Sequence, residues 1–244
     1  MFDLQNSPLV SLFPLLRYIV AGDYLNAIAF FMSCIVIIFL VSPFHELAHA
    51  WAANKLGDPT ARYAGRLSMN PMRHIDWLGA ALIMAVGWGW AKPVPVNTRF
   101  FNHPKRDMAI TAIAGPISNL LMAFVALLLR NGVAAIAGSV AVPQGFVAVL
   151  LGLLYLLFYY IALINVGLAV FNLIPIPPLD GSRLLTALLP NQLYYKIMAY
   201  ERYVMMGLFA LIFLGVLDGP LSLLRTGAMN GLEFLADLPF KLFG

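Results

Sequence analysis

A single cysteine, Cys34, in 244 residues excludes a disulfide framework and a thiolate metal site. Inside an uncharged run it reads as a small hydrophobe. Charge is scarce too: 11% of the chain is charged and 61% hydrophobic, against about 25% charged in an ordinary soluble domain. The mean hydropathy of +0.85 points to an integral membrane protein. No polar linker, internal repeat or low-complexity tract divides the sequence. The expectation is therefore a single membrane-embedded domain over residues 1–244, with a core at about 24–217. The N-terminus lacks a basic n-region and a small-residue cleavage site, so no removed signal peptide is expected. Its apolar stretch, broken by Pro14 and Arg17, is too short to span and is expected along the interface. The net charge of +4 does not indicate nucleic acid, because in a membrane protein the placement of the positive residues matters more than their sum.

A spanning helix needs roughly 20 apolar residues. Four stretches qualify, at about 24–44, 108–129, 145–172 and 199–217. WLGAALIMAVGWGW, residues 77–90, is too short to cross and has basic loops on both sides. It reads as a re-entrant or interfacial piece, with a small β-hairpin as one form it can take. Residues 220–244 are amphipathic with scattered charge and are expected to form an interfacial helix. The fold class is thus an all-α polytopic membrane protein. In this threading every Lys and Arg except Arg17, Arg130, Arg225 and Lys241 falls on one side, which is predicted to be cytoplasmic.

The chemistry lies at that side. The first span runs into VSPFHELAHA, residues 41–50. His45 and His49 are four apart, so on a helix both rings can reach one cation, with Glu46 beside that face. The third span ends in VFNLIPIPPLDGSR, residues 170–183. Its prolines cannot continue a helix, and they predict an extended segment that brings Asp180 to a similar depth. Two histidines and a carboxylate around zinc, with an open position, make a hydrolytic site in which a free Glu can accept the proton of water. Asp180 is the candidate third ligand. The pattern HExxH also arises by chance, and PLDG has the composition of an ordinary turn. The agreement in depth between two distant segments favours the metal, since ionisable groups inside a membrane are costly and rarely idle. Pro43, just before the first ligand, predicts a kink.

Together HELAH at 45–49, KLGDPTARYAGRLSMNPMRHID at 55–76, GWAKPVPVN at 89–97, KRDMA at 105–109, AGPISN at 114–119 and FNLIPIPPLDGSR at 171–183 resemble the site-2 protease family of intramembrane zinc metalloproteases. The resemblance covers about 40–190. It implies zinc held by His45, His49 and Asp180, with Glu46 as the catalytic base. Only about a dozen residues join the second and third spans, which resembles the short class without a PDZ domain. The resemblance also places Asn172 near the zinc, as a donor to the tetrahedral oxyanion. Asn119, Asn165 and Asn172 otherwise read as amides joining helices. His74 reads as an interfacial or surface histidine, or as a gating contact on the re-entrant piece. His103 reads as surface.

The function expected is hydrolysis of peptide bonds of membrane-protein substrates within or near the bilayer. The partners expected are a transmembrane protein or peptide and the lipid itself. The implied location is a prokaryotic cytoplasmic membrane, with the active site toward the cytoplasm. The alternative is a non-catalytic zinc-binding membrane protein or a transporter. Glu46 argues against mere binding, and ligands clustered at one depth argue against a transport path.

Overall fold

The structure is a computed structural model. It describes residues 13–87, 89–139, 145–190, 192, 196 and 199–243, and among these no strand occurs. A short helix α1 (Pro14–Val20) leads into α2 (Tyr24–Lys55), which the Asp23 side chain caps by accepting from the Asn26 amide at 3.2 Å. Then come α3 (Thr60–Tyr63) and the ten-residue α4 (Trp77–Val86). The long helices α5 (Pro104–Ser139) and α6 (Phe146–Asn172) follow. The chain ends with α7 (Asp180–Leu188), α8 (Glu201–Phe213) and α9 (Asp218–Phe243).

Three of these, α2, α5 and α6, are long and apolar enough to cross a membrane. Their surfaces require lipid. Along α5, Ile110, Ile113, Ile117, Leu121, Val125 and Leu129 are exposed at three- and four-residue spacing. Such an apolar stripe is stable only in an apolar solvent. The opposite face is small: Ala112, Gly115, Ser118, Ala123 and Ala126 are buried and let neighbouring helices approach closely. Against it pack α2 and α6. One core joins α5, α6 and α9 through Leu127, Leu157, Ile161, Val166, Met229 and Ala236. A second joins α2, α4 and α6 through Phe30, Cys34, Ile37, Ile83 and Tyr160.

Several expectations are corrected. The kink at Pro43 is a π-helical turn, Ile37–Val41, inside α2. There the Ser42 N–H bonds to the Ile37 carbonyl, five residues back, a widened turn suited to the ring of the next residue. The second span does not stop at 129: α5 runs on for 36 residues in all. It does so because the buried Arg130 finds Glu233 of α9 at 2.7 Å. The apolar stretch at 199–217 contains a helix of only 13 residues, Glu201–Phe213, short of the roughly 20 a crossing needs. Helix α9 packs onto α5 and α6 through Met229 and Ala236, not along an interface alone. Residues 173–179 form successive tight turns instead of an extended segment, with Ile176 N–H bonded to the Ile174 carbonyl and Leu179 N–H to that of Ile176. Residues 90–97 form neither helix nor strand. Of the stretch joining the second and third spans, residues 140–144 lie outside the described residues, as do residues 1–12 of the N-terminal stretch.

Candidate metal centre and active site

The π-turn rejoins regular helix at Ser42, so Ser42–Lys55 presents His45, Glu46 and His49 from one buried stretch. Asp180 opens α7, directly after the turns that leave α6. Gly181 makes that fold-back feasible, because a Cβ there would strike the carbonyls of Leu173 and Ile174. The result is a triangle. His45 Nε2 and His49 Nε2 stand 3.0 Å apart, and Asp180 Oδ2 lies 3.3 Å from the first and 3.2 Å from the second.

Whether these three fit zinc follows from their donor atoms. Ligands about 2.0–2.1 Å from one tetrahedral ion stand roughly 3.3 Å from each other, close to the spacing observed. Bond polarity agrees. The Thr111 carbonyl, 2.8 Å from His49 Nδ1, can only accept, so Nδ1 carries a proton and Nε2 is the nitrogen left for an ion. Nε2 faces a carboxylate oxygen and a second imidazole nitrogen, a set that a bound cation satisfies. Gly115 of α5 completes the cradle, since a Cβ there would collide with both histidine rings. Burial by itself would raise the Asp180 carboxyl, but the His49 and His45 rings outweigh it and hold it below the usual carboxylate range. The residues fit the ion.

Glu46 is buried beside the triangle without being part of it. Its Oε2 accepts from the Val94 N–H at 2.9 Å. A cavity of about 440 Å³ opens onto the cluster, lined by His45, Glu46, Asn119, Asn172 and Asp180 among apolar neighbours from α6 and α8. Asn172 and Asn119 thus share a cavity with the cluster. Asn119 is buried and its Oδ1 has no hydrogen-bond partner. Asn165 donates within its own helix to the Ile161 carbonyl, so it does not reach the cluster by that bond. His103 is exposed, as expected. His74 is not: it is fully buried, 2.7 Å from the Ser68 carbonyl and 3.4 Å from Arg66. Burial, reinforced by the nearby guanidiniums, holds its pKa below the ordinary 6.5.

Comparison with known proteins agrees with this chemistry. The model of peptidase family M50 matches residues 130–215, a stretch that contains Asp180 but not the histidines. Over 178 residues the chain is 40% identical to YwhC of Bacillus subtilis (strain 168), which is named as a zinc metalloprotease, and the match covers 70% of this chain and 76% of the relative. The chain belongs to peptidase family M50. This M50 protein is therefore a membrane-embedded zinc metallopeptidase of the site-2 protease type. No solved structure matches it.

Sequence reasoning missed three parts of the site in this M50 peptidase. The Thr111 carbonyl and the Val94 amide are backbone groups, to which no side-chain pattern points. Gly115 was visible in AGPISN, but nothing in that stretch marks it as room for two imidazoles.

Proposed function

We propose that the protein is an endopeptidase that cuts membrane-protein substrates within or near the bilayer. In this reading His45, His49 and Asp180 hold zinc, Glu46 is the base and Asn172 stabilises the oxyanion. The observation that carries the reading is the cavity of about 440 Å³, which joins the donor triangle to a predominantly apolar wall. Ile83, Leu168, Phe171, Met205 and Leu208 line it, a surface suited to a peptide drawn from lipid rather than from water.

Zinc, which His45, His49 and Asp180 would hold, would supply the Lewis acidity that lets water lose a proton near neutral pH. Glu46 accepts that proton on Oε1, because Oε2 is engaged by Val94, and later returns it to the leaving amine. Asn172, on the cavity wall, donates its amide N–H to the oxygen that gains charge. The apolar wall excludes bulk water and strengthens these interactions. A substrate helix satisfies its own backbone bonds in lipid, so it unwinds locally before its carbonyl can reach the site. Among the described residues one such donor group occurs, whereas a transporter needs ligands along a path.

The test is cleavage of membrane-anchored substrates in reconstituted vesicles, with products located by mass spectrometry. Cuts inside or beside the apolar segment, faster for substrates with Gly, Pro or Asn there than for all-Leu versions, support the reading. Cleavage restricted to soluble regions remote from the membrane contradicts it.

A further inference from the structure

Glu46 has its only hydrogen bond among the described residues from the Val94 amide. That donor sits in PVP, residues 93–95, where neither proline has an N–H, so three consecutive residues contain one donor and it is spent on Glu46. Pro93 borders both the large cavity and a smaller one of about 50 Å³ that Glu46, His49, Thr111 and Arg183 line. The segment bearing Val94 is thus the partition beside Glu46.

Buried polar groups fasten this partition at both ends. At its start, Lys92 N–H donates to the His74 carbonyl at 2.8 Å, and the buried Arg66 donates to the Lys92 carbonyl. His74 must carry its proton on Nε2, since the Ser68 carbonyl there only accepts, which leaves Nδ1 as the acceptor 3.4 Å from Arg66. At its end, the fully buried Asp58 accepts from the Asn97 N–H at 2.7 Å. Its other oxygen accepts from the Thr60 N–H at 2.9 Å and hydroxyl at 2.5 Å. These buried bonds, with only Arg66 Nε among their groups left without a partner, hold the loop at both ends. Prolines on both sides of Val94 stiffen it further.

We propose that the Val94 N–H is a positioning donor for Glu46, and that Arg66 and Asp58 act on the reaction by holding the 92–97 segment so that this donor meets the carboxylate. One oxygen of Glu46 is thereby fixed and the other presented for proton transfer, without any contact from Arg66 or Asp58 to substrate. The proposal rests on Glu46 being the base.

The experiment replaces Val94 by its α-hydroxy acid counterpart through nonsense suppression, which turns the 93–94 amide into an ester and removes the N–H while keeping the Val94 side chain. Turnover is read on a membrane-anchored peptide beside zinc content. The expected result is a kcat lower by about ten- to hundredfold, as for loss of a hydrogen bond to a charged group, with KM and zinc content unchanged. Arg66→Ala lowers kcat in the same way, and Arg66→Lys, which keeps a donor for the Lys92 carbonyl, restores most of it. In the ester background Arg66→Ala adds little, because both changes act through one bond. Wild-type kcat in the ester enzyme, or fully additive losses, overturns the proposal. Should the ester chain fail to fold, Arg66→Ala with wild-type kcat overturns it alone. Glu46→Gln separates the two levels: if that variant still turns over, the base itself is wrong. If it is dead while the ester enzyme is fully active, only the positioning role falls.

Discussion

His49 donates from Nδ1 to the Thr111 carbonyl across 2.8 Å. The bond spans 62 residues and sets both the tautomer and the plane of the ring, so the ligand nitrogen is oriented before any ion arrives. The same stretch of α5 places Gly115 against the two rings. Gly115→Ala is therefore predicted to displace them and weaken zinc affinity about 10–100-fold, while helix content by circular dichroism stays unchanged. Full zinc occupancy at limiting metal would show that the rings have room the geometry does not grant.

The orientation inferred from basic residues remains a proposal with a direct chemical test. Cys34 is buried and is removed by Cys34→Ser. In that background a cysteine at the exposed Arg62 or Arg99 is expected to react with impermeant reagents only from the cytoplasmic side. Labelling from outside intact cells reverses the threading.

Arg130 and Glu233, 2.7 Å apart, fasten α9 to α5. With Asn131 donating to Asp237 at 2.9 Å, they form a polar seam in an otherwise apolar contact. Glu233→Ala leaves a buried guanidinium without its carboxylate and is predicted to cost about 1–3 kcal/mol, less than a fully buried pair because Glu233 is partly exposed. Replacing both residues by Met recovers most of that loss in detergent melting. A Glu233→Ala melting temperature equal to wild type removes the seam from the account of α9.

How much of this was legible in sequence depends on which chemistry each residue shows. The meeting of His45, His49 and Asp180 was readable because helical spacing and depth are sequence properties, and the α6 boundaries followed from uninterrupted hydropathy. Arg130 looked like the end of a span. The partner that keeps it inside a helix lies 103 residues away, beyond any local pattern. The π-turn before Pro43 was hidden for a related reason: proline announces a disturbed helix but not whether it bends or widens. The prolines of 175–178 were read as extended, while backbone bonds from Ile176 and Leu179 fold them into turns.

His74 shows the same limit and yields a pH prediction. Its burial, unexpected for a histidine among basic residues, keeps it neutral, with its folded pKa below the unfolded 6.5. Between those two values the unfolded chain holds a proton that the folded chain lacks, so stability rises with pH there. The His74 contribution is complete above about pH 6.5 and lost as pH falls below it. Melting temperatures from pH 7.5 to 5 are predicted to fall more steeply for wild type than for His74→Gln. Parallel slopes contradict this.

In the proposed mechanism three residues hold the ion while a fourth moves the proton. The most direct measurement is zinc content per purified chain beside proteolysis, for wild type, Glu46→Gln and Asp180→Ala. About one zinc is expected in wild type and in Glu46→Gln, with cleavage only by wild type, and loss of zinc in Asp180→Ala. An Asp180→Ala chain that holds zinc as tightly as wild type, or a Glu46→Gln chain that still cleaves, contradicts it.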